Sequence, residues 1–567
     1  MQQRPNRRSA ENVIRLYEEA KQLRSPEEND WRLAAQYCLP RQYSSWTTEG
    51  PSTYGQRAAA TRRAVYDTTM SRALPKYQAI LERMVTPHNM QYQSMKATDD
   101  SLMRIRRVRE YFEALTRLIF TYRYGPKAGF SRGATHIYQQ LGVYGTGPLY
   151  LGQRKPNALY NKKSLLYKPV NLRDFFILVN DDGEMVGAFR RFFLNFRQFK
   201  EKFPNSPVPT CFAGKTAETY NEGEYKEFIH FTIARDGDFD PFALDMRRHP
   251  VEAGYISVAD KQYVGDEAGY RSMPYVAPTT VVKEADSPYG FSPAVQALAA
   301  AGTASSVKKT TLKQGQKAAD PVILTHDDGV MNGGVDLRPG AINPGGLDSQ
   351  GRKLISTLDT GNFNVSDALL QDERADINDS FFVTLFQILQ ETPEMTAAEV
   401  YERVAEKVSM LSPTMNALQD EFISPVTMRE IDIFIEMGLV ADGDGKPGLQ
   451  MPPELIEAEG EYEVIFTSPM AKNQYAEEVS GFFRAFEVAL NAAQQTQDPS
   501  HIDHFNLDVA IPEVSAQMST PARWMNDEAK VRKIREQRQQ QQQQSELLKN
   551  AAPLASAAKT LTQTEGQ

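Results

Sequence analysis

Four lysines set the first chemical expectation. Lys309, Lys313 and Lys317 recur every four residues with Lys308 beside them, a spacing that puts their ammonium groups on one helical face. In an isolated helix that stripe is a solvated surface. Other patterns point to chemistry and then lose it in context. Gly129-Phe130-Ser131-Arg132-Gly133 matches GxSxG, the turn that lifts a nucleophilic serine at a strand end. A loop, Tyr122 to Pro126, precedes it instead of a buried apolar strand, so Ser131 reads as the N-cap of a helix running through Ile137 and Leu141. Asp181 with Asp182, and Asp236, Asp238 and Asp240, are carboxylate groups that could hold a divalent ion in a multidomain nuclease or hydrolase, the alternative function. They sit in Gly-rich turns, where turn chemistry also explains them. The run from Asp442 to Pro447 faintly suggests a calcium loop but lacks the later ligands. There is no GxxxxGK[ST], so the chain is not expected to hydrolyse ATP. The seven histidines are scattered. The expectation is therefore a protein that is not an enzyme, with no catalytic residue, cofactor or metal.

The elements around these residues read as α+β, mainly helical. Residues 10 to 39 carry the spacing of two amphipathic helices closed by Pro40, and 62 to 85 another, with Pro75 inside it. From Gly145 to Met246 the texture changes to short β-branched and aromatic runs, with Asp181-Asp182-Gly183 as a hairpin turn and a helix near Leu194 to Phe203. Further sheet covers 254 to 282. An Ala-rich helix follows from Ser292 to Ala319, opened by Ser then Pro at N-cap and N1 and closed by Asp320-Pro321. It has few large apolar anchors, so it must pack closely against neighbours, including other copies of itself. A Gly/Pro-rich insertion reads as a small β-rich projection, and a second helix spans 365 to 389. A third opens at the capping box Thr396 to Glu399. A strand at 461 to 467 and helices from 473 onward complete the chain, and 550 to 567 reads as a disordered tail.

At 567 residues the chain is too long for one core. Hydrophobic residues are 41% and charged residues 24%, which excludes a wholly disordered chain. A net charge of -8 argues against a protein that grips nucleic acid over its whole surface. Cys38 and Cys211 have no ligand-spaced neighbours, so no disulfide framework is expected and a reducing compartment is. The N-terminus has no apolar signal region, and no run approaches the roughly 18 apolar residues of a membrane span. No membrane role is expected.

The order of three motifs resembles the portal proteins, the head-to-tail connectors of tailed bacteriophages, specifically short-tailed ones. Those motifs are Leu141 to Gly147, Tyr289 to Pro293 with Asp320-Pro321, and Pro393 to Val400. The resemblance runs from about residue 10 to about 540. It implies a ring subunit with a wing at 1–288 (β-rich from about 145), stem helices at 289–319 and 365–389, and a clip at 320–364 between them. It further implies a channel loop at 390–395 (Gln390, Glu391, Thr392, Pro393, Glu394, Met395), a wing return at 396–470, and a crown or barrel at 471–549. By the same resemblance the subunits form a ring of twelve at one capsid vertex of the virion, assembled in the host bacterial cytoplasm. Double-stranded DNA would pass through without sequence specificity, in at packaging and out at ejection. Asp327, Asp328, Arg338, Arg352 and Lys353 would then dock the terminase large subunit and later the tail adaptor or head-completion protein. The major capsid protein, a scaffolding protein and internal ejection proteins are the other implied partners. In a ring, Lys308, Lys309, Lys313 and Lys317 would become bands of positive charge facing the duplex.

Overall fold

A computed structural model describes residues 7–40, 65–88, 90–103, 105–154, 163–212, 225–237, 239–240, 243, 245–280, 287–320, 322–325, 334–336, 338–357, 364–387, 411–441, 448–457, 462–466, 469–496, 502–517, 524, 526 and 530–543. The chain divides into two compact units. The first comprises Met1–Glu82, Ser131–Tyr150 and Lys168–Phe422, and the second Arg83–Phe130, Leu151–Tyr167 and Ile423–Gln567. The segment expected as the 1–288 wing thus contributes to both.

In the first unit, helix α1 (Ala10–Arg24) starts where the Ser9 side chain accepts from the Asn12 amide. Its apolar residues fall at helical spacing, so Val13, Tyr17 and Ala20 line one side and are buried. They pack on an antiparallel sheet of β1 (Phe175–Val179), β2 (Met185–Leu194), β3 (Lys226–Ala234), β4 (Val251–Ser257) and β5 (Gln262–Tyr270), in that order. Strand alternation decides which side chains meet the helix. Ile229, Phe231 and Ile233 of β3 join Phe176 and Phe189 under α1, while Phe228 points to the opposite layer with Phe199, Phe203 and Phe212. Each fully buried Phe or Ile stabilises by about 1.5–3 kcal/mol. Arg24 fixes the far end of α1, donating 2.9 Å hydrogen bonds to the carbonyls of Leu172, Arg173 and Phe175. The Asp181-Asp182-Gly183 turn joins β1 to β2 as expected, with Gly183 at φ 78° supplying the left-handed residue.

Further described helices of this unit include α2 (Glu28–Cys38), α3 (Thr69–Val85), α4 (Phe130–Tyr144), α5 (Phe196–Lys202), α6 (Pro293–Gln296), α7 (Leu298–Ala319), α8 (Asn364–Ser380) and α9 (Val383–Gln387). Three differ from expectation. Helix α3 begins at Thr69, after a stretch at 65–68 without regular structure, where Asp67 accepts from the Thr69 amide. Helix α4 already includes Ser131 in its first turn, so Ser131 is not its N-cap; the chain turns in at Gly129, φ 84°. The second long helix is not continuous: it breaks at Phe381-Phe382, where Phe382 takes φ 57°. Both rings pack on Tyr77, at 5.9 and 6.1 Å between centroids, and that packing holds the unfavourable backbone.

In the second unit, strand Gln93–Ala97 pairs antiparallel with Tyr462–Phe466, and the helices Arg106–Arg123 and Ser424–Met437 meet through one buried ion pair. Arg123 and Glu430 are both fully buried, and the guanidinium donates to both carboxylate oxygens at 2.8 and 2.6 Å. Arg123 also donates to Tyr92, Gln93 and Thr427, while the Tyr167 hydroxyl donates to Glu430. Burial, then the Glu430 charge, pushes the Tyr167 phenol well above its ordinary range and keeps it a donor. A charge this deeply buried tolerates its partner's presence or joint replacement, but not its partner's loss. Glu430→Met should therefore cost about 3–5 kcal/mol in urea unfolding, and the double variant Arg123→Met with Glu430→Met should cost less than that single change. A double variant at least as unstable as the single would show that the pair's polar neighbours, not the lone charge, set the cost.

Candidate functional site

The site is built where a turn after α4 meets the start of α6, and both segments belong to the first unit. Gly145 sits at φ 78°, and a Cβ placed there would lie 2.0 Å from the Gly290 carbonyl oxygen. No side chain fits. Around this approach the Gly290 amide donates to Thr146 Oγ1 at 3.0 Å, and Ser292 Oγ donates to the Val143 carbonyl at 2.9 Å. The same Ser292 oxygen accepts from the Val295 amide, so it both caps α6 and ties it to the end of α4. Tyr289 completes the anchor: its ring lies 5.1 Å from Trp31, edge to face, and its hydroxyl accepts from the Ile177 amide in β1. Opposite, the Thr279 amide and hydroxyl both donate to Glu421 at 2.7 Å.

From this anchor α6 and then α7 leave. Ala301, Ala304 and Ser305 are the buried residues of α7, and their small size lets its backbone approach the packed elements closely. Ser305 Oγ accepts from the Tyr66 amide, and α8 packs alongside through Leu370 and Ile377. Arg374 of α8 donates to Asp67 at 2.7 and 3.0 Å. Burial pushes the Asp67 carboxyl up, but its hydrogen bonds from Thr69 and Arg374 outweigh that and hold it below the usual carboxylate range.

The lysine stripe lies on the outer surface of α7. Lys309, Lys313 and Lys317 are exposed and Lys308 is half-buried, with the Lys309 ammonium 5.6 Å from the Tyr66 ring. Between the two helices, strands β6 (Ile323–Thr325) and β7 (Ile355–Thr357) pair antiparallel and bring the two ends of the insertion together. There Arg338 is held by Asp336 at 2.6 Å, while Arg352 and Lys353 are exposed next to the turn that Asp348 organises by accepting from the Arg352 amide. Asp327 and Asp328 lie outside the described residues, as do Gln390, Glu391, Thr392, Pro393, Glu394 and Met395.

Among the described residues the catalytic alternatives do not assemble. Ser131 follows a helix and a turn instead of a strand, and its carbonyl simply accepts from Thr135. Asp236 is paired with Arg8, Asp181 and Asp182 stay in their turn, and Asp238 is outside the described residues. Among the described residues no three His, Cys, Asp or Glu side chains gather as metal ligands, and no helix is long and apolar enough to cross a membrane.

Comparison with known proteins matches this chain over residues 10–525 to the family model described as bacteriophage head to tail connecting protein. The portal protein of Salmonella phage epsilon15 is 23% identical over 436 residues, covering 76% of this chain and 74% of that protein. A probable portal protein of Bordetella phage BPP-1 is 24% identical over 479 residues, covering 80% and 78%. Among solved structures, a chain in the neck of an empty GTA particle aligns at a TM-score of 0.33 and 13% identity, over 74% of this chain and 91% of that one. Nothing in these matches favours a nuclease.

The close approach at Gly145 makes a sharp prediction. Gly145→Ala should destabilise the first unit by about 3 kcal/mol or more, read as a lowered thermal midpoint with loss of the Trp31 environment in fluorescence. An unchanged midpoint would mean that the two backbone segments separate at little cost.

Proposed function

We infer the function from membership: this chain belongs to the bacteriophage head to tail connecting protein family, and it serves as a portal, the connector at one vertex of the virion capsid. The observation that carries the finer reading is α7, a helix anchored at one end and exposed beyond Thr311 except at half-buried Gln314, Leu312 included. A helix with so little apolar cover is not stable alone in water and needs neighbours. Copies of this chain arranged in a ring supply them. By resemblance that ring has twelve subunits, α6–α7 and α8–α9 are its stem, and 320–364 its clip.

In such a ring Lys309, Lys313 and Lys317 repeat at three heights and meet the phosphates of a passing duplex. Contacts to phosphate alone hold no sequence register, which suits a duplex that must move. Gln390 through Met395 would narrow the channel with Glu391 and Glu394. The exposed Arg352 and Lys353, with Asp327 and Asp328, would meet the terminase large subunit and then the tail adaptor, while Arg338 acts through its pair with Asp336. The terminase supplies the energy, so the chain's role is structural. Capsid and tail proteins are its partners, with scaffolding and internal ejection proteins as further contacts.

Electron microscopy of the purified protein with its solution mass tests this reading. Rings with a central hole and a mass near twelve times 63.8 kDa are expected; a compact monomer at all concentrations would sink it. In rings that form normally, changing Lys309, Lys313 and Lys317 together to Glu should lower DNA packaged per particle on the order of tenfold. Packaging at the unmodified level would remove these lysines from the channel.

A further inference from the structure

One face of the five-stranded sheet gathers positive charge that no carboxylate among the described residues balances. Strand register sets Arg190 of β2 opposite His230 of β3, and His230 opposite Tyr255 of β4, so the three form one transverse row. Helix α5 brings Lys202 onto this row: its ammonium nitrogen lies 3.8 Å from the Phe192 ring centroid and 4.4 Å from that of Tyr255. Lys168, on the strand Ser164–Pro169, is the third cation. Lys168 and Lys202 are exposed residues and Arg190 is half-buried, so solvent and small ligands reach them.

The groups facing this cluster are polar but not acidic. His230 Nδ1 lies 2.7 Å from the Tyr275 hydroxyl, and the Tyr150 and Tyr270 hydroxyls lie 3.4 Å apart. Crowding by rings and strands, then Arg190 and Lys168, pushes Lys202 down to about 7. Partial desolvation of its ammonium by the protein around it, then Arg190, pushes Lys168 down to about 8. Burial, then Lys202, Arg190 and Lys168, holds His230 well below its ordinary value and so neutral. Among the described residues, the charges acting on these three bases are all cations. Among the described residues none of Lys168, Arg190 and Lys202 forms an ion pair. Glu252, the carboxylate on β4, is taken by Arg8 at 3.1 Å, and Asp260, just past the end of β4, accepts from Ser257, Thr210 and the Cys211 amide.

We propose that Lys168, Arg190 and Lys202 form a binding site for a dianionic phosphate group, either free phosphate or the terminal phosphate of a larger molecule. Like charges brought together raise each other's cost, and an anion between them removes it. A single carboxylate would leave most of the charge uncompensated. Two negative charges spread over three oxygens match one planar guanidinium fork and two ammonium groups. The site lies within one unit of a single chain, so it does not depend on the ring reading and either can fail without the other.

Calorimetric titration of the full chain tests it, using sulfate and inorganic phosphate against chloride at equal ionic strength. Sulfate keeps both charges throughout, so any pH dependence of its binding belongs to the protein. Lys202 binds anions as its charged form, which is present below its depressed value and lost above it. Sulfate affinity should therefore fall about tenfold from about pH 6 to about pH 8. Lys202→Met should weaken binding about tenfold at the lower pH and flatten the profile, whereas Lys202→Arg should keep binding at the higher pH and confirm that the fold survives. A short oligonucleotide with a 5′ phosphate that displaces sulfate, where its unphosphorylated form does not, identifies a terminal phosphate; displacement by inorganic phosphate alone identifies the free ion. Sulfate binding no better than chloride, binding unaltered in Lys202→Met, or equal displacement by both oligonucleotides would overturn the proposal.

Discussion

The first unit depends on a place where two stretches of backbone come closer than any side chain allows. Gly145 and Gly290 are far apart in sequence, and the contact between them fixes the end of α4, the start of α6 and the strand turn at Thr146 together. The Thr146 and Ser292 hydroxyls then use the carbonyl and amide groups that the two helix ends leave unpaired. Because Tyr289 immediately precedes this contact and is held between Trp31 and β1, the direction in which α7 departs is set by the sheet and by α2 rather than by the helix itself. A long helix with weak apolar anchors can be placed accurately only by such an external clamp.

The sequence reading found both halves of that clamp but not their meeting. Leu141 to Gly147 and Tyr289 to Pro293 carried the family resemblance as separate strings, and one sequence holds no information about which glycine faces which. Local rules worked where local physics decides. The Ser292-Pro293 start, the turn at Asp181-Asp182-Gly183 and the stripe of α1 follow from capping, positive φ and periodicity. They failed where a tertiary contact overrides propensity. Helical periodicity runs straight through Phe381 and Phe382, and only the ring of Tyr77 explains the break there. Ser131 reads as a cap by type, yet Gly129 turns the chain early enough that the helix has already begun. The Lys202 cluster was equally illegible, since Lys168, Arg190 and Lys202 lie on three elements with nothing periodic in common.

Cations in this protein are used in two ways, and the division follows the side chain. Arg24, Arg123 and Arg374 are tied by several hydrogen bonds each to carbonyls or carboxylates, so their planar heads act as internal cross-links. Lys309, Lys313 and Lys317 remain exposed, and Lys168 and Lys202 accept depressed basicity instead of finding a partner. In a chain of net charge -8 there are carboxylates enough to neutralise every one of them. That they stay uncompensated is the reason we propose that they act on something outside the chain.

The glycines of α7 lead to the same conclusion by a different route. Gly302 and Gly315 each cost a helix about 1 kcal/mol relative to alanine. Neither has the positive φ that would require glycine. Within the chain there is also room for a side chain at both: a Cβ at Gly302 would meet only the Tyr37 hydroxyl, at 3.9 Å, and one at Gly315 would meet nothing within 4 Å. Intrachain packing therefore gives no reason to forgo alanine at either position. Close approach by a neighbouring helix does, because a bare backbone lets two helices pack at shorter separation than any side chain permits. The two glycines lie on different sides of α7, Gly302 in line with Lys309 and Lys313 and Gly315 in line with Lys308, so a helix that packs closely at either one lies beside lysines of the stripe and not opposite all of them.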